Sequence, residues 1–430
     1  MKLSQYNLCA EIRNFVIIFN TMKNSYVSIR KEIYEKLKDS SSISEIKIND
    51  EKLYDKLCAS NVIIDDDVDE FEKLTEEYLR NIYNKANYDL TLLPTLDCNL
   101  RCWYCFEKHI KNSHLLNQTK DNIIKFIENI FDDNRVERLN LSLFGGEPLL
   151  YFEEELYPLL LKIKYMAQAC NKKVNFLFVT NGVNIKTSNI DLFSELKANF
   201  QLSIDGYKTS HDKVKFIPKT KEGTYDHIIG SIQLLTEKAN CFVNLRINYD
   251  DNTLVHLSEL INDIKYVNRK KICIHLERVW QTKPSVIAFS ESFKKSINDF
   301  LLNDFEVSYM NFRRKSHSCK SSKINQSIIS YDGSVYKCTG RDFTEKLVEG
   351  FLSEKGTIIW NKERLNKRMQ IRTYDNSQCR SCKFLPLCWG PCNQKQIETN
   401  GDFLLSYCPL KYMELSLEDY IIYRFNNQYI

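Results

Sequence analysis

The chain has 430 residues, 43% hydrophobic and 27% charged, and its 60 basic and 56 acidic residues leave a formal net charge of +4. That balance gives no argument for a nucleic-acid partner or a membrane partner. No run of about eighteen apolar residues occurs, which argues against a membrane-spanning helix, and the opening MKLSQYNLCAEIRNF lacks a signal-peptide pattern, so a cytoplasmic location is expected.

Residues 1–86 read as a first unit. Glu11–Asn20 and Asn24–Ile29 are β-rich runs on either side of a short turn at Thr21–Lys23, the pattern of a β-hairpin. Arg30–Lys38 and Asp50–Cys58 have helical spacing, with Asp50 placed to cap the second helix. A short strand, Asn61–Ile64, precedes an acidic helix, Asp67–Lys85. Hairpin, helices, strand and helix in that order predict a small winged-helix-like domain. The acidic run Asp65–Asp67 weighs against a phosphate-binding surface there.

Residues 87–278 alternate short apolar runs with longer helical patterns. The predicted strands are Asp89–Pro94, Leu139–Phe144, Val174–Val179, Phe200–Ile204, Phe242–Asn248 and Ile272–Leu276. Predicted helices fall between them, at 119–131, 151–169, 187–198, 224–238 and 253–266. Such alternation implies a parallel sheet. Six units are too few for a closed eight-fold barrel, so the expected fold is α/β with an open, partial (β/α)6 barrel. Its functional groups should gather at the carboxyl ends of the strands. Residues 279–318 read as a connecting segment with one helix near Ser290–Asn303. Residues 319–430 are cysteine-rich, with strands at Ser327–Tyr331 and Val335–Lys337 joined by an Asp332-Gly333 turn.

Fifteen cysteines are the strongest chemical signal. Cys9, Cys58, Cys170, Cys241 and Cys273 are isolated and read as small buried hydrophobes. The other ten fall in two regions. In the first, Cys98, Cys102 and Cys105 sit within eight residues of loop directly after the first barrel strand. Clustered thiols in a reducing compartment point to metal rather than disulfides. Four cysteines would close an iron–sulfur cube, and three leave one iron open. Zinc, which favours four tidy ligands, and a chance cluster are the competing readings.

The pattern Cys-x3-Cys-x2-Cys, with Tyr104 just before the last cysteine, resembles the signature of the radical S-adenosylmethionine (SAM) superfamily. The resemblance implies a [4Fe–4S] cluster whose open iron chelates SAM. An electron from the cluster then cleaves SAM to methionine and a 5′-deoxyadenosyl radical, which abstracts a substrate hydrogen. Later strand ends carry further matches. Gly145-Gly146-Glu147-Pro148 resembles the motif that binds the SAM amino group, with Glu147 as acceptor. Thr180-Asn181-Gly182 matches a common family position. Ser203, in Ser203-Ile204-Asp205-Gly206, would contact SAM. Lys215, twelve residues on and after His211-Asp212-Lys213, would meet its carboxylate. Relatives carry arginine there, and lysine keeps the charge without the planar fork. Arg246 and Asn248, on the fifth strand, face the same end.

The second region reads Cys319-x13-Gly333-x4-Cys338, then Cys379-x2-Cys382-x5-Cys388-x3-Cys392, then Cys408. Zinc ribbons are the competing reading, though seven cysteines do not fill two sets of four. The spacing resembles the SPASM domain of radical SAM enzymes that modify peptides and proteins. By that resemblance Cys379, Cys382, Cys388 and Cys408 would close one auxiliary [4Fe–4S] cluster. Cys319, Cys338 and Cys392 would bind another, for three clusters in all. No cysteine flanks Cys319: Arg313, Arg314 and Lys315 lie on one side, Ser321 and Ser322 on the other. That cluster would have an open iron or an unusual ligand, while the adjacent His317 reads as an exposed loop histidine. Residues 1–86 then resemble a recognition element for a precursor's leader peptide. The implied partners are a precursor peptide and an electron donor such as ferredoxin or flavodoxin. The implied activity is crosslinking of a ribosomally made peptide, through a thioether or carbon–carbon bond. The alternatives are an anaerobic sulfatase-maturing enzyme and a non-catalytic iron–sulfur electron carrier.

Overall fold

The computed structural model describes residues 1–39, 42–282, 291–309, 319–399 and 408–427. His317, Arg313, Arg314 and Lys315 lie outside the described residues. The N-terminal unit opens with β1 (Lys2–Leu3), β2 (Asn7–Ile12), β3 (Phe15–Asn20) and β4 (Ser25–Arg30), and later contributes β5 (Ile63–Ile64). β2, β3 and β4 form a three-stranded antiparallel sheet where a hairpin was expected. The missed turn is at Arg13, which adopts the left-handed conformation at φ 54°. Asn14 completes this two-residue turn and is a common turn former, but the apolar run Phe15–Phe19 directly after it masks the signal. Helices follow at Lys31–Leu37, Ile43–Asn49 (not anticipated), Glu51–Ala59 and Glu70–Ile82. Asp50 caps the third as expected, accepting from Leu53 N at 3.0 Å.

The main sheet has eleven strands: β6 (Asn87–Leu93), β7 (Arg138–Leu143), β8 (Lys173–Thr180), β9 (Asn199–Ile204), β10 (Val243–Tyr249), β11 (Ile272–Arg278), β12 (Glu306–Tyr309), β13 (Gln326–Ser330), β14 (Ser334–Tyr336), β15 (Gly350–Leu352) and β16 (Ile358–Trp360). Among the described residues their order is β12-β11-β10-β9-β8-β7-β6-β13-β14-β15-β16, with β12 and β16 at the two edges. β6 through β12 are parallel, and β13 runs parallel to β6 on the other side. The sheet therefore continues past residue 278. β12 comes from the stretch read as a connector, and β13 from the cysteine-rich region. Pairing partners of this kind leave no trace in local hydrophobic pattern.

Strands such as β7 alternate buried and half-buried residues. Fully covered parallel strands read as continuous apolar runs instead. One face is packed by helices, where Phe152, Phe178, Phe193 and Phe200 stack with centroids 4.4–5.6 Å apart. The other face is polar: Asn175 Nδ2 donates to Asn140 Oδ1 and Asn140 Nδ2 to Asp89 Oδ1, both at 3.0 Å.

Two expected helices are interrupted. Residues 151–169 begin with a wide π turn, Phe152–Leu156, before the α-helix Tyr157–Ala169. Pro158 lacks the N–H that a regular turn would use there. Residues 253–266 divide into Asp251–Leu254, a 3-10 turn at Leu257–Glu259, and Leu260–Ile264. Apolar spacing of three suits either helix type, so the pattern survives the breaks. Of the isolated cysteines only Cys241 and Cys273 are buried; Cys9 and Cys58 are half-buried and Cys170 is exposed, which corrects the uniform expectation. Among the described residues no helix is long and apolar enough to cross a membrane.

The N-terminal unit is packed onto the rest. Tyr6 and Tyr78 share a cluster with Tyr374, Leu385 and Trp389 of the cysteine-rich region. The last helix, Leu417–Asn427, lies along β2, and Arg424 donates to Asn24 Oδ1 at 2.8 Å. Phe193 is wholly buried in the aromatic stack. Phe193→Ala should lower stability by roughly 3–5 kcal/mol in urea unfolding of the apo-protein; a loss below about 1 kcal/mol would contradict this packing.

Candidate active site

A cavity opens at the carboxyl ends of the parallel strands, where the fold places its functional groups. The loop after β6 supplies Cys98, Cys102, Tyr104 and Cys105 to its wall. Gly145 and Gly146 follow β7, Thr180 and Asn181 end β8, and Ser203 ends β9; Lys215 completes this set. With Asn248 of β10, eleven sequence-selected residues thus meet at one place, as the strand-end rule requires.

The glycines are needed for close packing of two backbones. A Cβ on Gly146 would lie 1.9 Å from the carbonyl oxygen of Asp97, and one on Gly145, at φ 88°, would lie 2.8 Å from Thr95 O. Glu147 N also donates to Asp97 O at 2.8 Å. The turn after β7 therefore seats the residue immediately before Cys98.

Glu147 itself is 1% exposed and does not line the cavity. Its carboxylate accepts from Thr180 Oγ1 at 2.6 Å, Asn181 N at 2.8 Å and Leu149 N at 2.9 Å. Burial pushes its pKa up, and these hydrogen bonds oppose that shift. The acceptor assigned from sequence to the SAM amino group is thus already engaged in fastening β8 to the turn. Asn181 extends the connection, donating to Asn99 Oδ1 at 2.7 Å.

Lys215 is 3% exposed and lies 3.1 Å from Asp205 Oδ2. It donates to Ser203 Oγ at 2.7 Å and Ser203 O at 3.0 Å. Tyr104 donates to Asp205 Oδ1 at 2.5 Å and accepts from Asn248 Nδ2 at 3.0 Å. Burial, then the Asp205 carboxylate, pushes the Tyr104 phenol well above its ordinary range. Arg246 stands back from the cavity and donates to Asn248 Oδ1 at 3.1 Å. Asn244, Arg246 and Asn248 share a face at period two, and Asn248, nearest the strand end, is the one that reaches the wall. Asp205, within the Ser203-Ile204-Asp205-Gly206 motif, joins Tyr104 to Lys215. Two further wall residues, Glu107 and His109, carry no sequence signal. Burial, then Asp342, pushes Glu107 up to about 8.

His211 is wholly buried behind this network. Its Nδ1 accepts from Asp205 N at 3.1 Å, and its Nε2 is 3.0 Å from Thr224 Oγ1, which donates to Lys215 O. Thr224 has thus spent its proton, so Nε2 carries the hydrogen. Burial, then Lys215, pushes the His211 pKa down to about 2.

The downstream cysteines fall into two neighbourhoods. Cys388 senses the charges of Cys408, Cys382 and Cys379, and burial pushes its thiol up to about 12. Cys338 senses Cys319 and Cys392, and burial pushes it up to about 11. Among the described residues no three Cys, His, Asp or Glu side chains gather closely enough to hold a single metal ion.

Residues 92–263 match the family model of the radical SAM superfamily. The chain carries a radical SAM domain, and the protein is a radical SAM enzyme. The superfamily uses a [4Fe–4S] cluster and SAM. A cysteine-type anaerobic sulfatase-maturating enzyme of Clostridium novyi is 23% identical over 70% of this chain and 86% of its own. A serine-type counterpart from Bacteroides thetaiotaomicron is 21% identical over 71% and 82%. Among solved structures, Streptococcus suis SuiB bound to the precursor peptide SuiA superposes with a TM-score of 0.56 at 15% identity, covering 95% of this chain and 99% of SuiB. The enzyme anSMEcpe, with AdoMet and the Cp18Cys peptide bound, gives 0.56 at 20% identity, covering 80% and 97%. These likenesses are of fold.

Gly146→Ala should destabilise the protein by about 1–3 kcal/mol, because neither backbone can yield; thermal unfolding of the apo-protein checks this, and an unchanged midpoint would contradict the close approach. The fold holds His211 neutral. Its contribution is intact above the unfolded pKa of 6.5 and erodes as pH falls below it, by up to about 1.4 kcal/mol per unit, down towards about 2. His211→Asn should remove that slope from urea midpoints measured between about pH 7.5 and 5.5. An equal slope in both proteins would contradict the burial.

Proposed function

We propose that the protein is a radical SAM peptide maturase in which Cys98, Cys102 and Cys105 hold the SAM-binding [4Fe–4S] cluster. The observation that carries this reading is the meeting of three thiols with Tyr104, Ser203 and Lys215 around one strand-end cavity. Zinc needs its donors within about 2.3 Å of one point, whereas a cube takes each thiolate on a different iron. Three cysteines rather than four leave one iron of a cube open for SAM, where a structural zinc site would take a fourth ligand. Once bound, the cluster and SAM together supply a 5′-deoxyadenosyl radical for hydrogen abstraction.

The chain's own residues provide placement. Lys215 and Ser203 would hold the SAM carboxylate, and Gly145, Gly146, Thr180 and Asn181 would hold its amino group. Tyr104, held by Asp205 and Asn248, fixes the last cysteine of the loop, and Arg246 orients Asn248. Glu147 holds three strand ends in register. Downstream, Cys379, Cys382, Cys388 and Cys408 bind one auxiliary [4Fe–4S] cluster, and Cys319, Cys338 and Cys392 bind a second. A ferredoxin or flavodoxin supplies electrons.

The substrate is a precursor peptide whose leader docks on residues 1–86, and the product is a crosslink, thioether or carbon–carbon. Both SuiB and anSMEcpe have been solved with peptides bound. The likeness to anSMEcpe leaves a fifth of this chain uncovered, as much as residues 1–86 hold, while that to SuiB leaves a twentieth. Sulfatase maturation is the second reading, favoured by the curated relatives. Mass spectrometry separates the two. The enzyme is incubated with any short peptide encoded beside its gene and, separately, with a synthetic sulfatase peptide containing the target Cys or Ser. Loss of a pair of hydrogens from the first is expected, with leader binding abolished in calorimetry by deleting residues 1–86. Formylglycine in the second, with the first unchanged, would overturn the crosslinking reading.

A further inference from the structure

Arg368 is a buried cation beside the cysteine-rich region that nothing above explains. It lies on the helix Lys362–Gln370, and its side chain is 2% exposed, while Lys362 and Arg364 on the same helix are exposed. A guanidinium keeps its charge and carries five N–H donors. Burying one is costly unless its donors are paired. Arg368 Nε donates to Glu349 Oε2 at 3.0 Å, and Nη2 donates to Glu349 Oε1 and to Gln394 Oε1, the latter at 2.7 Å. Nη1 is buried with no hydrogen-bond partner among the described residues.

The groups that clamp Arg368 belong to the surroundings of Cys319, Cys338 and Cys392. Gln394 follows Cys392 by two residues on the helix Asn393–Glu398. Glu349 N donates to Val335 O at 2.8 Å, on the strand leading to Cys338. Between Cys392 and Gln394, Asn393 hydrogen-bonds Ser322, and the neighbouring Ser321 Oγ lies 3.1 Å from Cys319 Sγ. The guanidinium's charge is felt at Cys338. Nearby cations are already committed: Lys337 donates to Lys323 O and Gln326 O at 2.8 and 2.6 Å, and Arg341 pairs with Glu398 at 2.8 Å. Of these three cations, only Arg368 has a buried nitrogen with no hydrogen-bond partner among the described residues.

We infer that Arg368 donates from Nη1 to sulfur of the iron–sulfur cluster held by Cys319, Cys338 and Cys392, and that the Arg368–Glu349 pair sets the reduction potential of that cluster. The inference rests on the auxiliary-cluster reading above. A cation and a hydrogen bond at the sulfurs stabilise the more negative, reduced cluster and raise its potential; the Glu349 carboxylate opposes this. Arg368 is therefore a positioning and tuning residue, and the two partners act with opposite sign.

The test is an EPR-monitored redox titration of the full reconstituted chain. The variant with Cys319, Cys338 and Cys392 all changed to Ala identifies the relevant signal. At the potential where the wild-type cluster is half reduced, Arg368→Met should lower the ratio of reduced to oxidised cluster at least tenfold, about 59 mV for one electron. Glu349→Gln should raise it. Arg368→Lys, which keeps the charge and loses the fork, should fall between wild type and Arg368→Met. Should Arg368→Met fail to load iron, the sign for Glu349→Gln decides: upward supports the inference, and no change or a downward shift overturns it. Unchanged potentials in loaded Arg368→Met and Glu349→Gln also overturn it. Iron content equal to wild type in the triple-Ala variant would instead reject the cluster reading itself, which separates the two failures.

Discussion

The site depends on one backbone-to-backbone fit. The turn after β7 presses against the loop after β6 so closely that Gly146 has no room for a Cβ, and Glu147 N bonds to Asp97 O. From that contact the carboxylate of Glu147 reaches across to Thr180 and Asn181 at the end of β8. A buried carboxylate left unpaired would cost several kcal/mol. Three short hydrogen bonds make it tolerable here and tie the end of β8 to the turn after β7, while the backbone bond from Glu147 N to Asp97 O adds the loop after β6. The cysteine loop inherits its position from this arrangement.

A second polar layer works at the other side of the cavity. Tyr104, Asp205, Lys215 and Ser203 form a continuous network, with neutral His211 and Thr224 behind it. Lys215 is a buried ammonium whose charge is compensated by Asp205, so the wall contains a fixed cation beside an open cavity. Its directional donors are spent partly within the protein. That differs from an arginine fork, which would have donors to spare for a carboxylate ligand.

Much of this was legible in the sequence because it is written locally. Strand–helix alternation gave the parallel sheet, and short motifs at the strand ends gave most of the cavity wall. What escaped was non-local or disguised. The turn at Arg13-Asn14 is only two residues long and sits inside a β-rich run, so a three-stranded sheet read as a hairpin. β12 and β13 joined the sheet from segments whose own pattern says nothing of partners. Glu147 read as a ligand contact because its motif is known, but its burial could be seen only once β8 was in place. Arg246 and Asn248 could not be ranked from sequence, since both lie on one face and only the strand's end point decides between them. Arg368 carried no signal at all: a cation in an exposed basic helix becomes notable only when its burial is known.

In the proposed function, Cys98, Cys102 and Cys105 start radical chemistry from the cavity they line. The most direct measurement is release of 5′-deoxyadenosine by the anaerobically reconstituted protein given SAM and dithionite. Release by the wild type, abolished when these three cysteines are replaced by Ala while the C-terminal cysteines remain, is the predicted result. No release from fully iron-loaded wild type, or undiminished release from the variant, would contradict it.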